Sequence, residues 1–593
     1  MSNKIISLYR ARLAGEKGTV RKDWGGKISV ALVYPNHYHI GMSNLGFQIV
    51  YDLFNRKEKV VAERVFFPED QEMSLYLESE KPLLSLESQT PLEKFDLVAF
   101  SLSFENDYPN ILKILQLGKI PLRSEERGHL HPIIMGGGVT TFLNPEPLAD
   151  FFDLFLLGEA ETSLDPFITL FAELSRTSES RQEILRTLAQ NTDYVYVPSL
   201  YHVEYCSDGT IQAMEPRDTG IPQKVKVAHD DHINDSVAVS TILTPETEFS
   251  DRILVELGRG CGHSCRFCAA GYVYRPPRIR DESRLLSCLN TLMEKHKRLG
   301  LLSACVSDIP GIERMTGLIA DKGGHFSISS LRADTLTEKM LEDLKRVGQR
   351  SVAIAPEAGS ERLRRVVNKH LTRNQISNAI RLIGQKGKFS VRLYFLIGLP
   401  TESREDVTEI VKLVKHIKHH LIKESKSRGE IGQIKLSLNC FIPKPFTPFQ
   451  WFPMEDISTL KEKQKWLKKA LGKEGGIRVS FDVPKWAYLQ TLLSMGDRRV
   501  GSLLLLSHQL NGNWTRAYRS SELNSDFFVY RPKALDEILP WDFMDHGIFK
   551  EHLIKEYRLA LKEQESEVCQ VGTCDRCGVC SPQSAMNGAP LTP

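Results

Sequence analysis

Short apolar runs alternate with amphipathic stretches between residues 27 and 193. The runs KISVALVYP, FDLVAFSLS, HPIIMGGG and DLFLLG indicate buried strands, and the stretches LGFQIVYDLFNRK and PNILKILQLGK between them have the spacing of helices. Strands that alternate with helices predict a parallel, doubly wound α/β sheet, which binds its ligand beyond the carboxyl ends of the strands. We therefore expect an α/β domain with a ligand site over residues 27–193.

The same alternation resumes between residues 249 and 450. Helical stretches there separate six strand candidates, which are RILVEL, SACVSD, FSISSL, SVAIAPE, SVRLYFLIG and IKLSLNCFI. Six strand–helix units are too few for a closed eight-stranded barrel. They predict a partial (β/α)6 barrel whose active face lies at the carboxyl ends of its strands.

The other segments differ from these two domains in pattern. Residues 1–26 form an N-terminal extension, and residues 194–248 are a polar connector with short strands. Residues 451–560 have helical periodicity, and residues 561–593 are a cysteine-rich tail.

Composition narrows the class of protein. The chain has 593 residues, is 41% hydrophobic and 25% charged, and carries a formal net charge of +3. This near neutrality does not require a polyanionic partner, although nucleic acid is not excluded as one. No apolar run approaches the roughly 20 residues that span a bilayer, so we expect a cytoplasmic protein without a membrane partner.

Seven of the eleven cysteines fall in two short segments. In a reducing compartment such clustering indicates metal ligands rather than disulfides. Cys261, Cys265 and Cys268 follow the first barrel strand, so their loop lies at the active face. A closed zinc site needs a fourth ligand, and His263 would be strained in that role. A [4Fe–4S] cluster held by three thiolates leaves one iron open for chemistry.

The tail holds the second group, at C-x4-C-x2-C-x2-C spacing: Cys569, Cys574, Cys577 and Cys580. Four thiols complete a closed site, either an auxiliary [4Fe–4S] cluster or structural zinc. Successive C-x2-C steps favour iron–sulfur, because zinc sites usually separate their cysteine pairs by a longer loop.

The CxxxCxxC spacing, with Phe267 before the last cysteine, resembles the signature of the radical S-adenosylmethionine (SAM) superfamily. The resemblance implies that SAM occupies the open iron and is reductively cleaved to a 5′-deoxyadenosyl radical. A one-electron reductant such as flavodoxin or ferredoxin is then an expected partner. The superfamily's SAM-binding elements fall at successive strand ends and imply these contacts: Phe267, Ser307, Asp308, Ser330, Arg332, Glu357, Ser360 and Gly398. Asp308 and Ser360 could instead serve only as helix caps.

The first domain, combined with this barrel, resembles the cobalamin-binding radical SAM proteins, many of which carry a flavodoxin-like domain. Three loops around the nucleotide tail of cobalamin are implied, with these residues: Tyr38, Gly41, Ser101, Ser103, Gly136, Gly137 and Gly138. Tyr38 stands where the family's D-x-H-x-x-G loop places a histidine under the cobalt. Either the lower face of cobalt is then open, or the domain has kept its shape and lost the cofactor.

The preferred hypothesis is a radical SAM enzyme that uses cobalamin to methylate or rearrange an unactivated carbon of an unknown substrate. One alternative is a cobalamin-free enzyme, such as a methylthiotransferase-like RNA modifier. The other is a non-catalytic iron–sulfur scaffold or electron carrier. Corrinoid content separates the first two hypotheses, and release of 5′-deoxyadenosine excludes the third.

Overall fold

A computed structural model of the chain describes residues 2–177, 180–249, 251–426, 431–572 and 574–580. Of the cysteine-rich tail, residues 573 and 581–593 therefore lie outside the described residues. Within the described ranges, no helix is both long enough and apolar enough to cross a lipid bilayer.

A six-stranded sheet with the order β2-β1-β3-β4-β5-β6 forms the N-terminal domain. Its strands are β1 (Ile28–Tyr34), β2 (Val60–Phe66), β3 (Leu97–Ser101), β4 (Ile133–Gly137), β5 (Leu154–Leu156) and β6 (Val195–Tyr196). The first five are parallel and the last is antiparallel. All residues of β1 and β2 are buried, as expected for a parallel sheet covered on both faces. The predicted doubly wound sheet is confirmed.

Helices cover both faces of this sheet. They are α1 (Ser2–Ala14), α2 (Tyr38–Gly41), α3 (Leu45–Arg56), α4 (Asp70–Ser79), α5 (Tyr108–Leu117), α6 (Ala160–Thr177) and α7 (Arg181–Asn191). In the connector, β7 (Tyr201–Tyr205) and β8 (Ile211–Pro216) form an antiparallel pair, and β9 (Val225–Lys226) follows. The strand order changes direction between β1 and β3, which is where a doubly wound sheet opens a ligand crevice.

The second domain is a partial barrel. Its strands are β10 (Ile253–Glu256), β11 (Gly258–Arg259), β12 (Arg278–Ile279), β13 (Arg298–Leu302), β14 (His325–Ile328), β15 (Ser351–Glu357), β16 (Ser390–Ile397), β17 (Ile434–Cys440) and β18 (Ile477–Phe481). The parallel order is β10-β13-β14 and then β15-β16-β17-β18, joined by a bridge between Leu331 and Ile354. Its helices are α8 (Glu282–Lys295), α9 (Ile312–Asp321), α10 (Glu338–Arg346), α11 (Glu361–Val366), α12 (Arg373–Lys386) and α13 (Arg404–Glu424).

Two details of the barrel differ from the prediction. The second strand is Arg298–Leu302 rather than SACVSD, because α8 ends at Lys295 and the next apolar residues pair with β10. Gly300 suits this close pairing, since a Cβ there would lie 2.7 Å from the Leu254 side chain. A further parallel strand, β18, extends the sheet beyond β17 within the region expected to be helical.

The C-terminal region packs back onto the first domain. Its elements are α14 (Ile457–Leu471), α15 (Pro484–Met495), α16 (Val500–Gln509), α17 (Trp514–Ser520), α18 (Asp526–Val529), β19 (Met544–Asp545) and α19 (Lys550–Leu561). β19 pairs with β9 of the connector. The Asn144 side chain donates hydrogen bonds to the carbonyls of Ser494 (3.0 Å) and Gly496 (2.7 Å). These contacts join the C-terminal region to the first domain and to the connector that follows it.

A buried arginine ties the N-terminal extension to the first sheet. Arg64 of β2 forms ion pairs of 2.6 Å with Glu16 and with Glu87, and the arginine and Glu16 side chains are completely buried. Two carboxylates therefore share one guanidinium away from water. Such an arrangement is stable only while every member is present, because an unpaired buried charge is costly.

We predict that Arg64→Met lowers the free energy of unfolding by about 3–5 kcal/mol, the usual cost of breaking a buried ion pair. Chemical denaturation followed by circular dichroism measures the effect. Arg56→Met is the matched control, since Arg56 is 63% exposed in its pair with Asp52 and such surface pairs contribute only about 0.3–0.5 kcal/mol. Equal losses in the two variants would contradict the prediction.

Candidate active site

The loop that carries Cys261, Cys265 and Cys268 leaves the carboxyl end of β10. Its base is closed by the antiparallel pair of β11 and β12. Gly260 turns the chain into the loop with a φ of +80°, and a Cβ there would lie 2.6 Å from the Tyr274 carbonyl oxygen. Only glycine fits this turn without strain. The predicted position of the loop at the active face is confirmed.

The three loop thiols lie in a poorly solvated environment. Burial raises the pKa of the Cys265 thiol to about 12, despite the opposing charge of Lys369. Burial also raises the pKa values of Cys261 and Cys268, and the negative charge of Cys261 adds to the rise at Cys268. Metal ligation requires the thiolate form. The site therefore disfavours free thiolates and gains most from a bound cationic centre.

Arg266, inside the cysteine loop, anchors it to the rest of the barrel. Its guanidinium is fully buried, pairs with Glu556 of α19 at 3.1 Å, and donates to the carbonyls of Val366 (2.9 Å) and Gln564 (2.8 Å). The Tyr272 hydroxyl donates to the Ser264 carbonyl at 3.0 Å. The loop is thus held by side chains from within it and from the C-terminal region.

Glu357 and Lys369 form a shielded ion pair beside the loop. The Lys369 Nζ lies 3.0 Å from the Glu357 carboxylate, and each side chain is 13% exposed. Glu357 ends β15 with a φ of +66°, a left-handed conformation that costs a non-glycine residue of order 1 kcal/mol. Sequence reasoning selected Glu357 and missed Lys369, which lies twelve residues further along the chain.

Arg332 and Ser307, both predicted to contact SAM, meet in the loops that follow β14 and β13. The Ser307 hydroxyl accepts from the Arg332 backbone N–H at 3.3 Å and from the Thr335 hydroxyl at 2.8 Å. Asp334 holds two nitrogens of the Arg332 guanidinium, at 3.0 and 2.7 Å. Among the described residues, no hydrogen bond from Nη1 accompanies those of Nε and Nη2. Ser330 is partly buried just after β14.

Asp308 was expected to contact SAM, but in the structure its partner is His263. Its carboxylate is bonded to His263 Nε2, and with Cys305 these side chains place three potential ligand atoms within 4.8 Å of one another. Burial alone would raise the pKa of Asp308, but the bond from His263 lowers it. His263 therefore points to Asp308. The proposed cap role of Asp308 is wrong, because α9 begins after Gly311.

The remaining residues predicted to bind SAM have structural roles, in a helix cap, a turn and an apolar cluster. The Ser360 hydroxyl caps α11, accepting from the Leu363 N–H at 3.0 Å, and it also donates to Asp406. Gly398 has a φ of +79° and its N–H donates to Glu402 at 3.0 Å. Phe267 packs against a small apolar cluster that includes Leu363. Ser360 is therefore a cap, as one of the two interpretations held.

A cavity of about 480 Å³ lies between the two sheets. The first domain contributes Ser101, Ser103, Gly137 and Gly138, at the carboxyl ends of β3 and β4, as predicted. The barrel contributes residues from Glu256 to Gly260, directly before Cys261. Gly138 has a φ of +104°, and a Cβ there would lie 2.4 Å from the Leu102 carbonyl oxygen. The cavity therefore joins the crevice of one domain to the cysteine loop of the other.

Three of the predicted cobalamin contacts lie elsewhere. Tyr38 is 1% exposed and its hydroxyl bonds Glu16. A Cβ on Gly41 would lie 2.6 Å from Phe66, and one on Gly136 would lie 2.6 Å from Phe155, so both glycines serve internal packing. Tyr38 and Gly41 belong to α2, where they pack inward, and Gly136 lies within β4, so none of the three lines the cavity. Asn44, Leu45 and Gly46 reach the cavity instead.

A buried carboxylate in the cavity wall connects the two domains, and sequence reasoning missed it. Glu159, which follows β5, is 4% exposed and pairs with Arg259 (2.8 Å) and Arg278 (2.6 Å). Arg259 also pairs with Glu161 and Glu256. The two arginines lie on β11 and β12, at the base of the cysteine loop. The sequence feature that could have indicated Glu159 is the pair Gly158-Glu159, which comes just after a buried strand.

Comparisons with known proteins agree with this geometry. A family model described as the radical SAM superfamily matches residues 255–414, and one described as the N-terminal part of radical SAM proteins matches residues 46–198. An uncharacterized protein, MJ0966, of Methanocaldococcus jannaschii is 31% identical over 478 residues, which cover 80% of this chain and 90% of that protein. The chain belongs to the radical SAM superfamily.

Two solved radical SAM structures are also similar. One is the cobalamin-dependent enzyme OxsB with aqua-cobalamin bound, with a TM-score of 0.43 and 13% identity over 91% of this chain and 80% of that one. The other is the methyltransferase TsrM from Kitasatospora setae with tryptophan and a SAM analogue bound. Its TM-score is 0.41 and its identity 12%, over 71% of this chain and 74% of that one.

The donor set of this radical SAM protein fits an iron–sulfur cluster at the loop. Three thiols on one loop are soft ligands of the kind that hold such clusters. In the described ranges, the trio His263, Cys305 and Asp308 alone brings three potential ligand atoms within 4.8 Å. The three loop sulfurs are thus spread wider than the tetrahedron of a zinc ion, whose edges are about 3.8 Å for 2.3 Å bonds.

We predict that Glu357→Gln weakens SAM binding about tenfold, or about 1.4 kcal/mol. The amide keeps the shape of the side chain but removes the charge that holds Lys369. Equilibrium dialysis of SAM against cluster-loaded protein measures the change. The control is Glu338→Gln on α10, whose carboxylate is 65% exposed. Unchanged affinity in Glu357→Gln, with the iron content of the wild type, would exclude this residue from the SAM site.

Proposed function

We propose that this radical SAM protein is a cobalamin-dependent enzyme that methylates or rearranges an unactivated carbon. The observation that carries the proposal is the cavity between the domains. Its walls include both the glycine turn after β4 and the strand that leads into the cysteine loop. A cofactor in the crevice of the first domain would therefore face the site where SAM is bound.

Each cofactor supplies one part of the chemistry. Cys261, Cys265 and Cys268 would hold a [4Fe–4S] cluster, which would supply the electron for SAM cleavage, and the first-domain crevice would hold cobalamin, which would supply a transferable methyl group. The protein's contribution is to bind, orient and exclude water. A one-electron donor such as flavodoxin or ferredoxin is the partner that this chemistry requires.

The cavity walls suit a large ring rimmed with amides. Gly137 and Gly138 allow close approach of the backbone, and Asn44, Ser101 and Ser103 offer hydrogen bonds at the rim. No histidine is among the described residues that line the cavity. The described lining would therefore hold cobalamin through its rim and would offer it no imidazole ligand.

The polar residues at the strand ends would hold SAM. Arg332 offers Nη1 to the methionine carboxylate, and Glu357 offers a carboxylate to the ribose hydroxyls or the amino group. Lys369 holds Glu357 in place and lies close enough to Cys265 to affect its ionisation. The poor solvation of the loop thiols shields the reacting centre from water, which protects radical intermediates from side reactions.

We predict that Cys265→Ala abolishes SAM cleavage and removes the iron bound at the loop. Two thiolates cannot hold the cluster, so the electron needed for cleavage has no source. Anaerobic reconstitution, with iron counting and chromatography of 5′-deoxyadenosine, measures both effects. Cys206→Ser, an exposed cysteine outside both groups, is the control. Full cleavage by Cys265→Ala would refute the assignment of the loop.

We predict that the anaerobically purified protein binds one corrinoid and that Gly137→Phe abolishes this binding. A Cβ on Gly137 meets only the Leu156 carbonyl oxygen, at 3.8 Å, so the variant is expected to fold while its ring fills the cavity. Corrinoid absorbance after desalting measures occupancy. Gly128→Phe is the control, because a Cβ there meets nothing within 4 Å. Absent corrinoid in the wild type, with SAM cleavage retained, would favour a cobalamin-free enzyme.

A further inference from the structure

The cysteine-rich tail lies directly on the loop of the proposed catalytic cluster. The Cys569 backbone N–H donates to the Gly262 carbonyl at 2.9 Å. Gly262 follows Cys261, so a single hydrogen bond separates a tail cysteine from the residue next to a loop cysteine. A Cβ on Gly262 would lie 3.7 Å from the Cys569 Cβ, at van der Waals contact, so the two segments pack side by side.

Three further side chains fasten the tail to the loop. Asn368 donates to the Ser264 carbonyl at 3.2 Å and accepts from the Ser566 N–H at 2.9 Å. Arg266 reaches the Gln564 carbonyl, as described above. Arg275 donates to the Ser264 hydroxyl at 2.5 Å and lies beside Cys577. The described tail residues that make these contacts are therefore packed against the loop.

The four tail cysteines lie within a segment of twelve residues, and the first of them, Cys569, makes this contact with the loop. Cys577 is 3% exposed, and its carbonyl accepts the Phe549 N–H at 2.9 Å at the start of α19. Four thiols on so short a segment, one of them buried, are a donor set of the kind that holds a closed metal centre.

The distances between the tail sulfurs distinguish the two metal centres that four thiolates usually hold, a zinc ion and a [4Fe–4S] cluster. Within the described residues no three tail sulfurs lie within 4.8 Å of one another. A zinc tetrahedron requires every pair at about 3.8 Å, from bonds of 2.3 Å. The ligands of a [4Fe–4S] cube bind four different irons at its corners and are spread more widely.

We propose that Cys569, Cys574, Cys577 and Cys580 hold a second [4Fe–4S] cluster, which locks the tail against the loop of Cys261, Cys265 and Cys268. With the second cluster bound, the tail from residue 564 holds the cysteine loop in its folded position, so the two segments become ordered together. Gly262, Ser264 and Arg266 are the loop positions that the tail holds. This proposal extends the proposed function, but the second cluster does not depend on the first.

Metal counting tests the site. Reconstituted wild-type protein is expected to hold about eight irons, two cubes of four. The triple variant Cys261→Ala, Cys265→Ala, Cys268→Ala should keep about four irons with the electron paramagnetic resonance signal of a reduced cube. The double variant Cys574→Ser, Cys577→Ser should lose about four. Zinc in the triple variant, or no metal in it, would overturn the proposal. A double variant that holds no iron at all, beside a triple variant that keeps its four, would instead contradict the proposed cluster at the loop.

Hydrogen–deuterium exchange tests the lock. Backbone amides of residues 260–268 should exchange at least about tenfold faster in the double tail variant than in the control Cys206→Ser. Circular dichroism and exchange at β1 and β16, far from the tail, show whether the variant is otherwise folded. Unchanged exchange across residues 260–268 in a folded double variant that has lost its tail iron would refute the locking role.

Discussion

The ionised carboxylate of Glu159 determines how the two halves of the molecule meet. It accepts from both Arg259 and Arg278 in a site with little access to water. Burial alone would raise the pKa of Glu159, but hydrogen bonds from Arg278 and the charge of Arg259 lower it, so the group is held ionised. Breaking such a pair would leave unmatched charges in the interior, at a cost of about 3–5 kcal/mol.

This contact matters because of where its arginines lie. Arg259 and Arg278 are on the paired strands at the base of the cysteine loop, and Glu159 is at the carboxyl edge of the first sheet. The same ions therefore orient the loop and set the width of the cavity. Sheet crevice, cavity and loop form one continuous site, so neither domain alone presents it.

Local patterns predicted the parts of this architecture that depend on neighbouring residues. Buried parallel strands are nearly continuous apolar runs, so β1, β3 and β16 could be recognised directly. The edge strand β18 was missed because only alternate residues are shielded and the surrounding stretch is helical in pattern. The second barrel strand was displaced because RLGLL also continues the helical pattern of α8.

The residues of the site also fall into two groups: those that a local sequence pattern reveals and those that only the folded chain brings together. The cysteine spacing is local and was found, as were the glycine turn after β4 and Arg332. Lys369, Glu159 and the partner of Asp308 become visible only after distant segments pack together. Tyr38 occupied a motif position but turns inward to Glu16, a contact with the N-terminal extension that no local pattern contains.

The contact between Cys569 and Gly262 also affects the order of events during biosynthesis. The tail cysteines leave the ribosome about 300 residues after Cys268, which corresponds to about 15–60 s at ~5–20 residues per second. For that interval the loop is made but uncovered. A protein that delivers iron during translation would therefore meet the loop before the tail packs against it.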